Sequence, residues 1–190
     1  MPRPLAFDPT EALAKATNVF WRQGYEATSL DDLTKAMGIN RPSLYNTFGD
    51  KCSLYLAALR NYRERNGGLL EEMLERAESV RASLRSVFTL MATTEAAERG
   101  CMVVNAAIEL APVLPEVQQL VGEAARVNER VFAEAIRRGQ TSGEIDGDKD
   151  PEALAKLLYN GMVALRVRAR GGAGEEELLE NAELTLSLLD

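Results

Sequence analysis

The stretch from Thr28 to Lys51, TSLDDLTKAMGINRPSLYNTFGDK, constrains the fold of this chain more than any other segment. Its spacing predicts two short amphipathic helices separated by a turn of three or four residues. Ser29 can cap the first helix and Asn40 the second, because side-chain oxygens accept hydrogen bonds from the unpaired N–H groups of a first helical turn. Gly38 can end the first helix, since glycine adopts positive φ readily. The stretch therefore predicts a helix-turn-helix unit, whose second helix can lie in the major groove of DNA.

The spacing alone leaves open a helical hairpin that never contacts DNA, but the residues themselves are more specific. The run T-S-L-D-D-L-x-x-A-x-G-I-x-R-x-S-L-Y-x-x-F-G-D-K closely resembles the DNA-binding segment of the tetracycline-repressor (TetR) family. The resemblance extends roughly from Pro9 to Leu59, and the remainder is similar to the family in length and helical layout. It implies an all-α protein with an N-terminal three-helix headpiece and a C-terminal helical domain for effector binding and dimerisation.

Charge is distributed unevenly along the chain. The net charge is −7, but residues 1–65 carry nine Lys/Arg against seven Asp/Glu, so that residues 66–190 carry −9. Salt screens charges beyond about 8 Å under physiological conditions. A remote acidic segment therefore weakens DNA binding only modestly, and local basic groups decide the contacts with phosphate.

Composition excludes several classes of protein. The chain has no histidine and two cysteines, so the common zinc sites and histidine-dependent catalysis are excluded, and no cofactor or metal is predicted. There is no apolar run near ~18 residues and no apolar core of a signal peptide, which predicts a cytoplasmic protein without a membrane span. We expect that the protein is not an enzyme. Two alternatives stay open: a small all-α enzyme using carboxylates such as Glu95 and Glu109, and a helical adaptor that has lost DNA binding.

Helical periodicity runs through the whole chain and is interrupted at Gly- or Pro-containing segments. A first helix is predicted from Asp8, as its cap, to Gly24, and a fourth helix from Lys51 to about Arg65, followed by a break at Gly67-Gly68. Further helices are predicted over 69–93, 100–110, 113–138, 150–170 and 175–189. The total is about nine helices. We expect a headpiece over residues 1–50, a connecting helix over 51–66, and an effector-binding and dimerisation domain over 67–190.

The family resemblance implies DNA-contacting roles by position. It places Thr28, Ser29, Tyr45 and Lys51 at phosphates, and it projects side chains of the second helix toward base edges. The full predicted set is Thr28, Ser29, Arg41, Pro42, Ser43, Tyr45, Asn46 and Lys51. Family members often carry an aromatic residue or histidine where Asn46 and Thr47 stand, which leaves the division between base and backbone contacts open here.

Two further groups of residues in the C-terminal part have two interpretations each. One group can line a small-molecule pocket, as the family implies, or belong to the ordinary core: Phe88, Met91, Met102, Asn105, Glu109, Tyr159 and Met162. The other can form a homodimer interface across a two-fold axis, or pack within the chain: Leu154, Leu158, Gly161, Leu165, Leu179 and Leu186.

Cys101 is a candidate redox residue near the predicted start of a helix. Unpaired N–H groups, the helix dipole and Arg99 would all stabilise a thiolate there. The segment R-G-C-M-V-V-N resembles the R-G-C-L-x-x-N of part of the TetR family, some members of which respond to oxidants or electrophiles. A buried inert thiol is the alternative. The hypothesis is a DNA-binding transcriptional regulator, a repressor released from a palindromic operator by an unknown small molecule or a thiol-reactive signal.

Overall fold

A computed structural model describes residues 7–75, 79–93 and 100–190. Within these ranges the chain forms nine α-helices and one short 3-10 helix, with no strand, and none of the helices is long and apolar enough to cross a bilayer. The all-α prediction is confirmed. The helices are α1 Pro9–Gln23, α2 Leu30–Met37, α3 Arg41–Phe48, α4 Lys51–Glu75, α5 Val80–Thr93, α6 Met102–Glu109, α7 Pro115–Ser142, α8 Pro151–Arg170 and α9 Glu175–Leu186, and the 3-10 turn is Ser187–Leu189.

The predicted helix starts in the headpiece are confirmed by their side-chain caps. The Thr10 N–H donates to Asp8 Oδ1 (2.8 Å), and the Ser43 N–H donates to Asn40 Oδ1 (2.9 Å). Gly38 ends α2 in the left-handed conformation, with φ 72° and ψ 28°. Each cap satisfies a donor that the helix leaves unpaired, so these residues fix where α1, α2 and α3 begin and where α2 ends.

The predicted break at Gly67-Gly68 was wrong. Helix α4 continues through both glycines to Glu75, and the helix predicted over 69–93 is therefore split between the end of α4 and α5. A glycine inside a helix costs about 1 kcal/mol relative to alanine. Leu70 and Leu74 follow at helical spacing and are buried, and burying two leucines contributes more than two glycines cost.

Two hydrophobic cores share the molecule. The first joins the headpiece helices α1–α3 to the first half of α4, α6 and the start of α7. The second joins the end of α4 to α5, the second half of α7, α8 and α9. Helix α4 contributes Leu59 to the first core and Leu74 to the second, and α7 contributes Leu120 and Ile136 in the same way. These two helices therefore cross both cores.

Most of the residues predicted for the dimer interface pack within a single chain, which is the alternative that the sequence left open. Leu154, Leu158, Leu165 and Leu186 are buried in the second core of a single chain, and the half-buried Leu179 packs against them. Gly161 faces Thr185 of α9, which lets α8 and α9 approach closely within the chain. The apolar stripe of each helix was read correctly, but its partner is the neighbouring helix of the same chain.

Two helical glycines should respond in opposite ways to alanine. A Cβ at Gly68 would meet nothing within 4 Å, so Gly68→Ala should raise the free energy of unfolding by about 0.5–1 kcal/mol. A Cβ at Gly161 would overlap the Thr185 methyl, and the Thr185 hydroxyl is held by the Asn181 carbonyl (2.8 Å). Gly161→Ala should therefore cost about 1–3 kcal/mol. Urea unfolding measures the change in the free energy of unfolding of both variants. Equal changes would contradict the close packing of Gly161 against Thr185.

Candidate nucleic-acid interface and effector cavity

Helix α3 has one side in the headpiece core and the other open to solvent. Leu44 is fully buried, whereas Arg41, Pro42 and Asn46 are exposed and Tyr45 is 47% exposed. Helical spacing places Pro42 and Asn46 opposite Leu44, with Tyr45 to one side of it. Helix α3 is thus held by its apolar side and offers a polar and aromatic side to a partner, as reading a DNA groove requires.

The N-terminus of α2 is already occupied by a side chain of the same helix. Ser29 Oγ accepts from the Asp32 N–H (3.1 Å), and Asp32 Oδ2 accepts from the Ser29 N–H (2.9 Å). The Ser29 hydroxyl, which donates to Asp32 Oδ2 (2.6 Å), and then the Ser29 N–H lower the pKa of the Asp32 carboxyl below its usual range. Thr28 is buried, with its hydroxyl donating to the Gly24 carbonyl (2.6 Å). Ser29 is thus exposed at this surface, while the Thr28 side chain supports the turn from within.

Basic residues at the exposed end are held by neighbours in the free protein. Arg41 Nη2 lies 2.8 Å from Asp31 Oδ1, an exposed pair that links the start of α3 to α2. Such a pair contributes about 0–1 kcal/mol, so phosphate or a base edge can compete for the guanidinium. Lys51 Nζ lies 4.4 Å from the centre of the Tyr25 ring, a cation–π contact at the start of α4.

Glu109, at the end of α6, holds the headpiece. Its two carboxylate oxygens accept from the N–H groups of Tyr25 (3.0 Å) and Glu26 (2.8 Å), in the turn between α1 and α2. A Cβ at Gly24 would come within 2.9 Å of this carboxylate, so the close approach depends on glycine. Glu109, which was predicted to line a ligand pocket, bridges α6 and the headpiece and borders a separate depression beside Gly24.

A second bond joins the headpiece to the other end of α6. The Trp21 indole N–H of α1 donates to the carbonyl of Gly100 (3.1 Å), two residues before α6 begins. The Trp21 ring also meets the Tyr62 ring of α4 edge-on, with 5.1 Å between the ring centres. Both ends of α6 are therefore tied to the headpiece.

A cavity of about 400 Å³ lies where the two hydrophobic cores meet, and we name it the seam cavity. Its volume is in the range of small-molecule pockets. Met91, Tyr159 and Met162 of the predicted pocket residues line it. The main lining residues are Tyr62, Gly67, Gly68, Leu70, Met73, Val87, Leu90, Met91, Cys101, Val103, Val104, Val127, Asn128, Tyr159, Met162, Val163 and Arg166.

The other predicted pocket residues lie elsewhere. Phe88 is fully buried in the second core and Met102 in the first, which is the ordinary-core alternative for both. Asn105 borders a separate depression beside Gln23 and Gly24, together with Glu109. The predicted group therefore divides between the seam cavity, the two cores and the contact between α6 and the headpiece.

Comparison with known proteins identifies the fold and the headpiece. Residues 12–58 match the family model described as bacterial regulatory proteins, tetR family, and residues 77–177 match the model described as tetracyclin repressor-like, C-terminal domain. The chain belongs to the TetR family. TetR-family proteins are DNA-binding transcriptional regulators and not enzymes, so the enzyme and adaptor alternatives are set aside.

TetR-family relatives cover the whole chain. It is 34% identical over 195 residues to the uncharacterized HTH-type transcriptional regulator YezE of Bacillus subtilis (strain 168), covering 100% of each protein. It is 34% identical over 190 residues to the HTH-type transcriptional repressor ComR of Escherichia coli (strain K12), covering 98% of this chain and 90% of ComR. The chain is also similar to a solved structure of the TetR family regulator CifR, a cysteine mutant complexed with 26-bp double-strand operator DNA. The two structures superpose with a TM-score of 0.87 at 34% sequence identity, and the match covers 99% of this chain and 100% of that chain.

Within this TetR-family fold, Cys101 lies in the wall of the seam cavity. It is half-buried at the N-cap of α6, which confirms the predicted position near a helix start, while Arg99 lies outside the described residues. Tyr62 lies beside it: burial, and then the neighbouring Cys101, raise the pKa of the Tyr62 hydroxyl, and Arg166 opposes this. For the half-buried Cys52, burial, then Asp50, raise the pKa of the thiol, which disfavours its reactive thiolate form.

Sequence reasoning missed three residues that organise these sites. Glu109 as a bridge left no local signal, since its partners are backbone amides 84 and 83 residues away. The position of Tyr62 in the cavity wall was missed because its helix was interpreted only as a connection between the two parts of the chain. Arg166 carried a usable signal, because it stands four residues after Met162 and seven after Tyr159, and so extends their stripe on α8.

Replacing Glu109 with Gln should weaken the hydrogen bonds between α6 and the headpiece. The amide side chain has only one acceptor oxygen and no charge, so one of the two N–H groups loses its partner. We expect Glu109→Gln to lower the free energy of unfolding by about 1 kcal/mol. Urea unfolding measures this change, with Glu134→Gln as the control because Glu134 is exposed in the middle of α7, away from the helix dipole's ends. Equal stability of the two variants would contradict the bridging role.

Proposed function

We propose that this TetR-family regulator is a repressor that binds a palindromic operator as a homodimer and leaves it when the seam cavity is occupied or Cys101 is modified. The exposed side of α3, with Leu44 anchored beneath it, carries the proposal. Operator DNA is bound by the CifR mutant that shares this fold, and ComR is a repressor of similar sequence. Such a protein acts in the cytoplasm, where its DNA lies.

The residues of the headpiece divide into two groups of DNA contacts. Tyr45 can reach a phosphate through its hydroxyl and Lys51 through its ammonium group, and these contacts hold the headpiece in register. The exposed Ser29 hydroxyl can join them by exchanging Asp32 for a phosphate. Arg41 and Asn46 can reach base edges from α3, with Ser43 beside them and Pro42 fixing the first turn. Arg41 must leave Asp31 to do so. Its release from an exposed pair costs little compared with a bidentate contact to guanine, worth about 1–3 kcal/mol of discrimination.

Helix α6 is the proposed route from cavity to headpiece. Cys101, Val103 and Val104 line the seam cavity at the start of α6, and Glu109 holds the headpiece at its end. A ligand that pushes α6 outward would displace the Tyr25 turn and tilt α3. Coupling of about 1–3 kcal/mol, which is common in allosteric proteins, would then lower operator affinity roughly five- to 150-fold.

The proposed functional division of the chain follows the same path. Residues 1–50 form the DNA-binding headpiece, residues 51–66 the connection, and residues 67–190 the effector-binding and dimerisation part. Because α4 passes through the last boundary without a break, the connection is rigid and joins both parts in one helix.

Base and phosphate contacts should be separable in an operator-binding titration. Lys51→Ala and Tyr45→Ala should weaken binding to specific and random DNA alike, because they remove phosphate contacts. Arg41→Ala and Asn46→Ala should instead reduce preference for the operator by about 1–3 kcal/mol each. Gel shifts on genomic fragments adjoining the gene, at two salt concentrations, measure both effects. The absence of any salt-sensitive specific complex would count against the proposal.

The proposed dimer surface is the exposed side of α8 and α9. Leu157 of α8 is 46% exposed and Leu184 of α9 63%, and Val167 of α8 and Leu188 of the following 3-10 turn are also exposed. Apolar side chains at this spacing on adjacent helices suit a two-fold interface in which α8 and α9 pair with their copies. A dimer would also set two headpieces at half-sites about 34–36 Å apart.

Charge on this surface should separate the protomers. Leu157→Glu with Leu184→Glu should shift the protein from dimer to monomer in analytical ultracentrifugation and abolish tight operator binding. Both side chains are exposed within the chain, so its fold should survive. Val113→Glu, at a 75% exposed position before α7, is the control and should remain dimeric. A monomeric wild-type protein, or a dimeric double variant, would contradict the proposed surface.

Cys101 is the proposed thiol sensor because modification would add bulk to the cavity wall beside α6. N-ethylmaleimide, which alkylates the thiol sulfur, should lower operator affinity of the wild-type protein. Cys101→Ser should abolish the response, and Cys52→Ser should keep it. If mass spectrometry finds Cys101 alkylated while operator affinity is unchanged, the sensor role is excluded.

A further inference from the structure

The wall of the seam cavity holds a cation whose hydrogen-bonding capacity is not fully used. Arg166 of α8 lines the cavity, and its Nη1 atom is buried without a hydrogen-bond partner among the residues that the structure describes. Leaving a buried donor unsatisfied is costly, and more so for a charged group. Buried donors of this kind usually meet an acceptor, which can belong to a bound ligand or an ordered water.

The other charged groups of the cavity do not supply that acceptor. Arg63 Nη1 lies 2.6 Å from Glu123 Oε2, so the Glu123 carboxylate offsets the charge of Arg63. Glu64 and Glu71 line the opening but are exposed, so water screens their charges. Among the described lining residues, the Arg166 guanidinium is thus the positive charge that no carboxylate offsets, and the cavity is electrostatically suited to an anion.

The polar neighbours of Arg166 remain neutral hydrogen-bonding groups. Burial, then Cys101, raise the pKa of Tyr62, and burial, then Cys101 and Glu129, raise the pKa of Tyr159 to about 12. Both phenols therefore stay protonated near neutral pH. Tyr159 can donate to an oxygen atom, and Tyr62 can do so by exchanging its hydrogen bond with Cys101. Around them the lining is mostly apolar, with Leu90, Met91, Val127 and Met162.

We propose that the seam cavity selects small molecules with a carboxylate and an apolar body, and that Arg166 is the residue that binds the carboxylate. The planar guanidinium matches a carboxylate in a two-bond arrangement that a lysine cannot reproduce. Methionine side chains adapt to apolar bodies of varied shape. The inference rests on the proposed effector role of this cavity and adds the chemical class of the effector.

Calorimetric titration of the full-length protein without DNA tests the inference. Octanoate is the anionic probe, and octanamide is a neutral probe of matched length. We expect octanoate to bind the wild-type protein more tightly than octanamide. Arg166→Met should weaken octanoate about ten- to a hundredfold, the loss expected for a charged hydrogen bond, and should leave octanamide unchanged.

Two further variants separate the possible causes. Arg166→Lys keeps the charge but not the planar fork, and should recover only part of the octanoate affinity. Arg65→Met removes an exposed arginine of α4 outside the cavity wall and should bind octanoate as the wild-type protein does. Unchanged octanamide binding to Arg166→Met shows that the variant has kept its cavity.

The outcomes distinguish this inference from the proposed function. If octanoate and octanamide bind equally, or if Arg166→Met binds octanoate as tightly as the wild-type protein, the carboxylate preference is overturned while the cavity stands. If neither probe binds, the inference is overturned as well. A separate gel shift shows whether bound octanoate releases DNA. If operator affinity is unchanged at saturating octanoate, the proposed effector role of the cavity is contradicted, but its carboxylate preference is not.

Discussion

The structure depends on two helices that each pass through both hydrophobic cores. Helix α4 gives Leu59 to the headpiece core and Leu74 to the C-terminal core, and α7 divides its apolar residues in the same way. Because side chains in close-packed cores resist small displacements, a shift of either helix in one core must be felt in the other. The seam cavity lies between the cores and is lined by residues of both.

Helix α6 turns this arrangement into a connection with the DNA-binding surface. It is eight residues long, it begins at the cavity wall, and each of its ends is hydrogen-bonded to the headpiece through Trp21 or Glu109. A short helix with few buried side chains is easier to displace than α4 or α7. Its carboxylate bond to the Tyr25 turn is charge-assisted and therefore directional, which suits it to position α3.

The sequence predicted features that depend on local chemistry. The caps Asp8, Ser29 and Asn40 follow from side-chain oxygens beside unpaired N–H groups. The residues that α3 exposes were instead implied by the family resemblance. Gly67-Gly68 was misread as a break because the packing of Leu70 and Leu74 overrides a local preference. The leucines of α8 and α9 were placed on the correct stripe, but periodicity cannot say whether the partner helix belongs to the same chain. The bridging role of Glu109 could not be predicted, because its partners are backbone amides, which every residue except proline carries.

The most direct test of the account is amide hydrogen exchange at Tyr25 and Glu26 when the seam cavity is filled from within. Gly67→Leu does this, since Gly67 lines the cavity and a Cβ there meets nothing within 4 Å. Gly67→Ala, which adds only a methyl group, is the control. The account predicts faster exchange of both amides in the leucine variant, with no change at the Leu33 amide inside the headpiece. Unchanged exchange at Tyr25 and Glu26 with the cavity filled would contradict it.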